Sequence, residues 1–343
     1  MVYSEKKHCL IISRFMKTRI IWVDSLKGFL ILLVILGHAI QKAYGDSCFD
    51  NKVFNLIYSF HMAAFMAVSG WLMYKPCAAL GGVISRRFSQ LMIPYFSWCI
   101  IAFMLNRKYS ISSFSQIILY PDHYYWFLWV LFFIWLIFSY IQRVSFHLQF
   151  DETKLILLAC PVLAGLMMFF NIRIFGIQYI TYYFLFYSLG YLMHKYNFVV
   201  NRRMLIIVSF IAWLLLAWNW SMHDIPSWVP VLPYIPTGTL QYFYRFMTAT
   251  VAILFLMNFF EKYMNSLHFL NNSLSKLGKI SLGVYITHLF LVNFLKDFFI
   301  NMDSCMSNAL LSIILFVIVT PISICIVQLI QKNKLLSYYL LGR

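Results

Sequence analysis

Ten apolar stretches, each about the 20 residues that a membrane-spanning helix needs, run along this chain and constrain its fold more than any other feature. They are expected at 20–43, 53–74, 89–106, 123–142, 155–171, 178–194, 204–220, 238–260, 280–299 and 308–330. Inside lipid every backbone N–H and C=O must be satisfied within the segment, so runs of this length form helices. Composition agrees. Of the 343 residues, 62% are hydrophobic and 11% are charged, against about 45–50% and about 25% in soluble domains. The reading is an all-α, polytopic transmembrane helical bundle of about ten spans.

Basic residues orient it. The formal net charge is +16, but Lys and Arg sit between apolar segments rather than on a patch suited to nucleic acid. With the N-terminus in the cytoplasm, 20 of the 27 basic residues fall on the inner side and 6 on the outer, and Arg245 lies within a span. That bias places both termini in the cytoplasm. The expected organisation is a basic tail at 1–19, a transmembrane domain at 20–331 and a cytoplasmic tail at 332–343. No cleavable signal is expected, because the first apolar run is too long and lacks a small-residue cleavage site. The longest irregular connection is 221–237, with four prolines. The seven cysteines stand singly, with no metal-ligand spacing.

Ionisable residues within spans are costly and mark function by default. The first span carries Asp24, Lys27 and His38. Lys27 and His38 return to nearly one helix face, roughly 16 Å apart along the axis. Asp24 and Lys27 are i,i+3 neighbours able to pair. His61, in Phe60-His61-Met62, lies at a comparable depth on an antiparallel neighbour, so the two imidazoles can meet. A histidine can take the proton of a hydroxyl; either ring is equally readable as a packing residue. Arg86 and Arg87 lie at the cytoplasmic start of the third span, where guanidinium suits a phosphorylated ligand or anchors to headgroups. Arg245 snorkels outward or lines a polar cavity. His288, near mid-membrane, reads alone as a structural hydrogen-bonding group. Trp126, in the run Asp122-His123-Tyr124-Tyr125-Trp126, belongs to an interface belt or stacks on a sugar ring.

These residues also form an ordered series: Asp24-Ser25-Leu26-Lys27-Gly28 with Gly37-His38; Phe60-His61-Met62 with Ser69-Gly70; Arg87 with Leu91 and Pro94-Tyr95; Trp126-Phe127-Leu128; Tyr182-Tyr183-Phe184 with Gly190-Tyr191; and Gly278-Lys279-Ile280-Ser281-Leu282 with Tyr285 and His288. The series resembles the membrane-bound acyltransferase family 3, which includes bacterial surface-glycan O-acetyltransferases. It runs from near residue 20 to near 290. The resemblance implies an acyl-CoA donor, usually acetyl-CoA, entering from the cytoplasm, a carbohydrate acceptor, possible kinship with a fucose-acetylase-like branch, and no metal. It implies that His38 is the essential histidine and that Arg87 lies near the CoA phosphates. Two positions depart from the pattern. Lys27 stands where the family often has an arginine, and Gln90 where a second basic residue often stands.

The resulting expectation is an O-acyltransferase of the inner (cytoplasmic) membrane acting on a surface polysaccharide or glycolipid, itself lipid-linked in some cases. His38, Asp24 and His61 carry catalysis. Arg86, Arg87 and Lys27 hold the donor. Arg245, His288 and Trp126 meet the acceptor. A glycolipid transporter or flippase is the main rival, weakened by the lack of an inverted repeat; a non-catalytic receptor or anchor is another.

Overall fold

The computed structural model describes residues 19–74, 83–105, 111–121, 125–170, 174–197, 203–230, 235–302 and 306–343. The basic tail at 1–18, the outer Asp122-His123-Tyr124, and Lys75, Arg107, Lys108, Arg173 and Arg202 of the charge count lie outside the described residues, as do Cys9, Cys77 and Cys305. Within them the chain is helical, with no strand. The helices are α1 (Ile21–Tyr44), α2 (Lys52–Tyr58), α3 (His61–Met73), α4 (Val83–Leu105), α5 (Ile111–Leu119), α6 (Trp126–Leu148), α7 (Glu152–Phe170), α8 (Ile177–Lys195), α9 (Arg203–Trp218), α10 (Thr237–Tyr263), α11 (His268–Lys279), α12 (Ser281–Met302), α13 (Asn308–Lys332) and α14 (Lys334–Leu341).

Among the described residues, seven segments are long and apolar enough to cross a membrane: α1, α2 with α3, α4, α6, α10, α12 and α13. Helix α9 is a shorter apolar helix, and α7 and α8 occupy the other two expected stretches. Large apolar side chains point out of the protein along these helices, for example Met204, Leu215 and Trp218 of α9. Contiguous apolar surface of this kind is what lipid covers. The protein is an integral membrane helical bundle.

The chain forms two compact units. One comprises 66–198 with 333–343, so it holds the end of α3, then α4 to α8, and α14. Here α7 packs on α8, α6 on α8, and α4 on both α6 and α14. Helices α3 and α8 touch backbone to backbone. A Cβ at Gly70 would overlap the carbonyl of Tyr187, and one at Gly190 would overlap the carbonyl of Ala67. Small residues permit that approach in a membrane bundle. At the C-terminal end, Trp98 Nε1 donates to the Leu340 carbonyl at 2.9 Å, and Gly342 ends α14 in the left-handed region against Gln90.

The other unit comprises 22–65 and 199–332, so it holds α1, α2, the start of α3, and α9 to α13. Helix α9 packs on α10 and α12 on α13. A second pair of glycines joins α1 to α11: a Cβ at Gly28 would overlap the Leu274 carbonyl, and one at Gly278 the Asp24 carbonyl. Ser25 donates to the side-chain and backbone oxygens of Asn271 across the same contact. The second expected span is broken. Asn51 caps α2 by accepting from Val53 and Phe54 N–H groups at 2.9 and 3.1 Å. The helix then turns at Ser59-Phe60 and restarts as α3 at His61. Trp213 Nε1 holds the break by donating to Ser59 Oγ at 3.3 Å.

Candidate active site

The site grows from α1. Its first turn buries Asp24, whose carboxylate pairs with Lys27 at 2.6 Å. This is the i,i+3 pair expected from the sequence. Fourteen residues separate Asp24 from His38, about 21 Å along a helix axis, so Asp24 acts on Lys27 and not on the imidazole.

His38 is tied at one ring nitrogen. Its Nδ1 lies 3.0 Å from Gln41 Oε1, one turn further on the same face. Tyr58, from α2, donates its hydroxyl to the same oxygen at 3.4 Å. Gln41 Oε1 faces both groups, and in that amide orientation His38 Nδ1 carries the proton and donates it. Nε2 is then the basic atom. Gly37, beside His38, lets the Tyr58 ring close in, because a Cβ there would come within 2.9 Å of it.

His61 opens α3 and is 3% exposed. Its Nδ1 donates to the Ile57 carbonyl at 2.7 Å, and its ring meets the edge of Tyr58 at 4.8 Å between centroids. It is linked to His38 through Tyr58 and Gln41. The imidazole packed on His38 is instead His288 of α12, at 5.2 Å between ring centroids. His288 is fully buried and donates Nδ1–H to the Val284 carbonyl at 3.0 Å, while its Nε2 has no partner among the described residues. All three histidines therefore commit Nδ1 to an oxygen and present Nε2 as a lone pair. Among the described residues no group of three His, Cys, Asp or Glu could hold a metal ion.

The two arginines belong to the other unit. Arg86 is exposed and Arg87 half-buried on the first turns of α4. Arg87 Nη1 donates to Gln90 Oε1 at 3.4 Å, and its guanidinium lies over the Trp135 ring at 5.9 Å. Among the described residues it pairs with no carboxylate. Gln90, which replaces a basic residue of the pattern, thus serves as a neutral partner for Arg87.

A family described as an acyltransferase domain matches residues 20–330. The chain belongs to this acyltransferase family. Two curated relatives are nodulation proteins named NolL. That of Mesorhizobium japonicum (strain LMG 29417 / CECT 9101 / MAFF 303099) is 25% identical over 220 residues, 55% of this chain and 55% of its own. That of Sinorhizobium fredii (strain NBRC 101917 / NGR234) is 40% identical over 90 residues, 24% of each chain. The acyltransferase thus spans about half or less of the length of these relatives. No solved structure matches it.

Two further expected residues of the acyltransferase sit among aromatic rings. Arg245 of α10 lies over Trp220 and Tyr242, at 5.5 and 6.0 Å. Trp126, the first residue of α6, stacks on Tyr179 and Tyr183 at 5.2 and 5.1 Å. The structure adds Gln41 and Tyr58, which the sequence reading passed over. Gln41 had a signal, the i,i+3 spacing from His38 on an apolar helix. Tyr58 had none, because its approach depends on the break at Ser59-Phe60.

Proposed function

We propose that this integral membrane acyltransferase moves an acetyl group from acetyl-CoA to a hydroxyl of a sugar in a cell-surface polysaccharide or glycolipid at the cytoplasmic membrane. The observation that carries this reading is His38: a part-buried imidazole on a spanning helix, hydrogen-bonded at Nδ1 to Gln41, which leaves Nε2 as the base. The acceptor O–H gives its proton to Nε2 while its oxygen attacks the thioester carbonyl carbon. The C–S bond breaks, and the imidazolium returns the proton to sulfur, releasing CoA as the thiol. Lys27, oriented by Asp24, is the basic group of the His38 unit for the donor phosphates, and Arg86 and Arg87 are those of the other unit. Arg87 suits this because, among the described residues, it pairs with no carboxylate. In the unit of His38, His61 hydrogen-bonds the acceptor, and Arg245 and His288 contact it. The flat face of Trp126 suits the C–H surface of a pyranose.

The test is CoA release and glycan labelling by purified protein supplied with acetyl-CoA and a lipid-linked or oligosaccharide acceptor pool. His38→Ala should lower transfer by about 10²–10⁴. Arg87→Ala should raise KM for acetyl-CoA roughly tenfold or more, the worth of one charged hydrogen bond. Folded wild-type protein that releases no CoA across broad acceptors would favour glycolipid movement, which intramembrane His and Arg also serve.

A further inference from the structure

His288 has an acceptor that the protein does not use. Its Nδ1–H is spent on the Val284 carbonyl, so Nε2 is a lone pair only, and that atom is buried with no donor among the described residues. Leaving a buried acceptor unsatisfied is costly, so a donor from outside the chain gains about tenfold or more in binding here. The neighbouring ring cannot supply one. His38 lies 5.2 Å away between centroids, but its proton is on Nδ1 and committed to Gln41. Both rings therefore offer acceptors at Nε2, and two acceptors do not satisfy each other.

A lone hydroxyl carries one proton and serves one of these nitrogens. Two hydroxyls on adjacent carbons carry two protons close together, one for each ring. We propose that the acceptor is a vicinal diol: the attacking hydroxyl gives its proton to His38 Nε2, and its unsubstituted neighbour donates a hydrogen bond to His288 Nε2. The second contact is made before, during and after transfer and moves no proton. It selects sugars whose modified position has a free neighbouring hydroxyl. This inference rests on the acyltransferase reading of His38.

The experiment uses membranes containing the full chain, labelled acetyl-CoA, and two small probes: tetrahydropyran-4-ol and cis-tetrahydropyran-3,4-diol. Wild-type kcat/KM per hydroxyl should favour the diol over the mono-ol by at least about tenfold, the worth of one buried acceptor left unmet. His288→Leu should bring that ratio towards one. His288→Gln, whose amide oxygen still accepts, should keep part of it. Equal use of diol and mono-ol by the wild type overturns the inference, since water then satisfies His288. So does an unchanged ratio in folded His288→Leu. The wild-type ratio stands as the test if that variant does not fold. Transfer to none of the probes or to any native glycan overturns the acyltransferase reading and the inference with it. Transfer without diol preference overturns the inference alone.

Discussion

Gln41 receives hydrogen bonds from His38 and from Tyr58, so it sets both the tautomer and the orientation of the central imidazole. Replacing it with leucine keeps the size and removes the acceptor. Gln41→Leu should lower kcat by about tenfold or more, as loss of the group orienting a catalytic imidazole does. KM for acetyl-CoA should stay unchanged. A fall in protein yield with an unaltered kcat would show that the bond is only structural. The tyrosine offers a milder change: Tyr58→Phe removes one donor from Gln41 and should cost less in kcat than Gln41→Leu, read in the same assay. His38 was legible in the sequence because an ionisable side chain within a span is expensive enough to need a reason. Its coupling to His288 was not, since 250 residues separate them and only packing of α1 and α12 within one unit brings the rings together.

The recurring glycines act at the level of the helix. Gly28 with Gly278, and Gly70 with Gly190, let backbones touch, and in each case an added Cβ would strike a carbonyl that cannot move aside cheaply. Gly28→Ala or Gly190→Ala should destabilise the protein by about 1–3 kcal/mol through overpacking. Gly165, in α7, has nothing within 4 Å of such a Cβ, so Gly165→Ala should be neutral or stabilising by up to about 1 kcal/mol. Thermal unfolding in detergent measures all three, and a Gly165→Ala loss as large as the others would break the packing argument. The same glycines belong to the ordered series that marks the family, so part of that signature records helix packing and not chemistry.

The start of α7 shows a second element-scale device. Asp151 Oδ1 accepts from the Thr153 backbone N–H at 3.0 Å, and Lys195 reaches both Asp151 and Glu152, at 3.2 and 3.0 Å. The Thr153 N–H, with help from the Thr153 hydroxyl and Lys195, holds the Asp151 carboxyl below its ordinary range. A depressed folded value stabilises above the unfolded value and is lost as pH falls through the folded one. Asp151→Ala should therefore cost about 1 kcal/mol as a lost cap at neutral pH. The difference from wild type should shrink as the pH drops below the usual carboxylate range, measured by unfolding at a series of pH values.

For the whole molecule, the charge bias predicts cytoplasmic termini, because basic residues resist translocation. A cysteine placed at Lys334 or at Arg203 should react with an impermeant maleimide only after the cytoplasmic face is opened, in a background where the native cysteines are replaced. Labelling of either from the outside in intact cells would reverse the assignment. By itself the sequence determined that the chain is helical and membrane-embedded and that it belongs to an acyltransferase family. Apolar length, scarce charge and the order of short motifs are properties of the chain read in one dimension. The tertiary structure alone decided which imidazole stands beside His38, where the second expected span breaks to present His61, and which buried nitrogen waits for a donor. Those depend on rotation and depth of helices distant in sequence, which close backbone contacts at glycine and side-chain hydrogen bonds set and which no local pattern encodes.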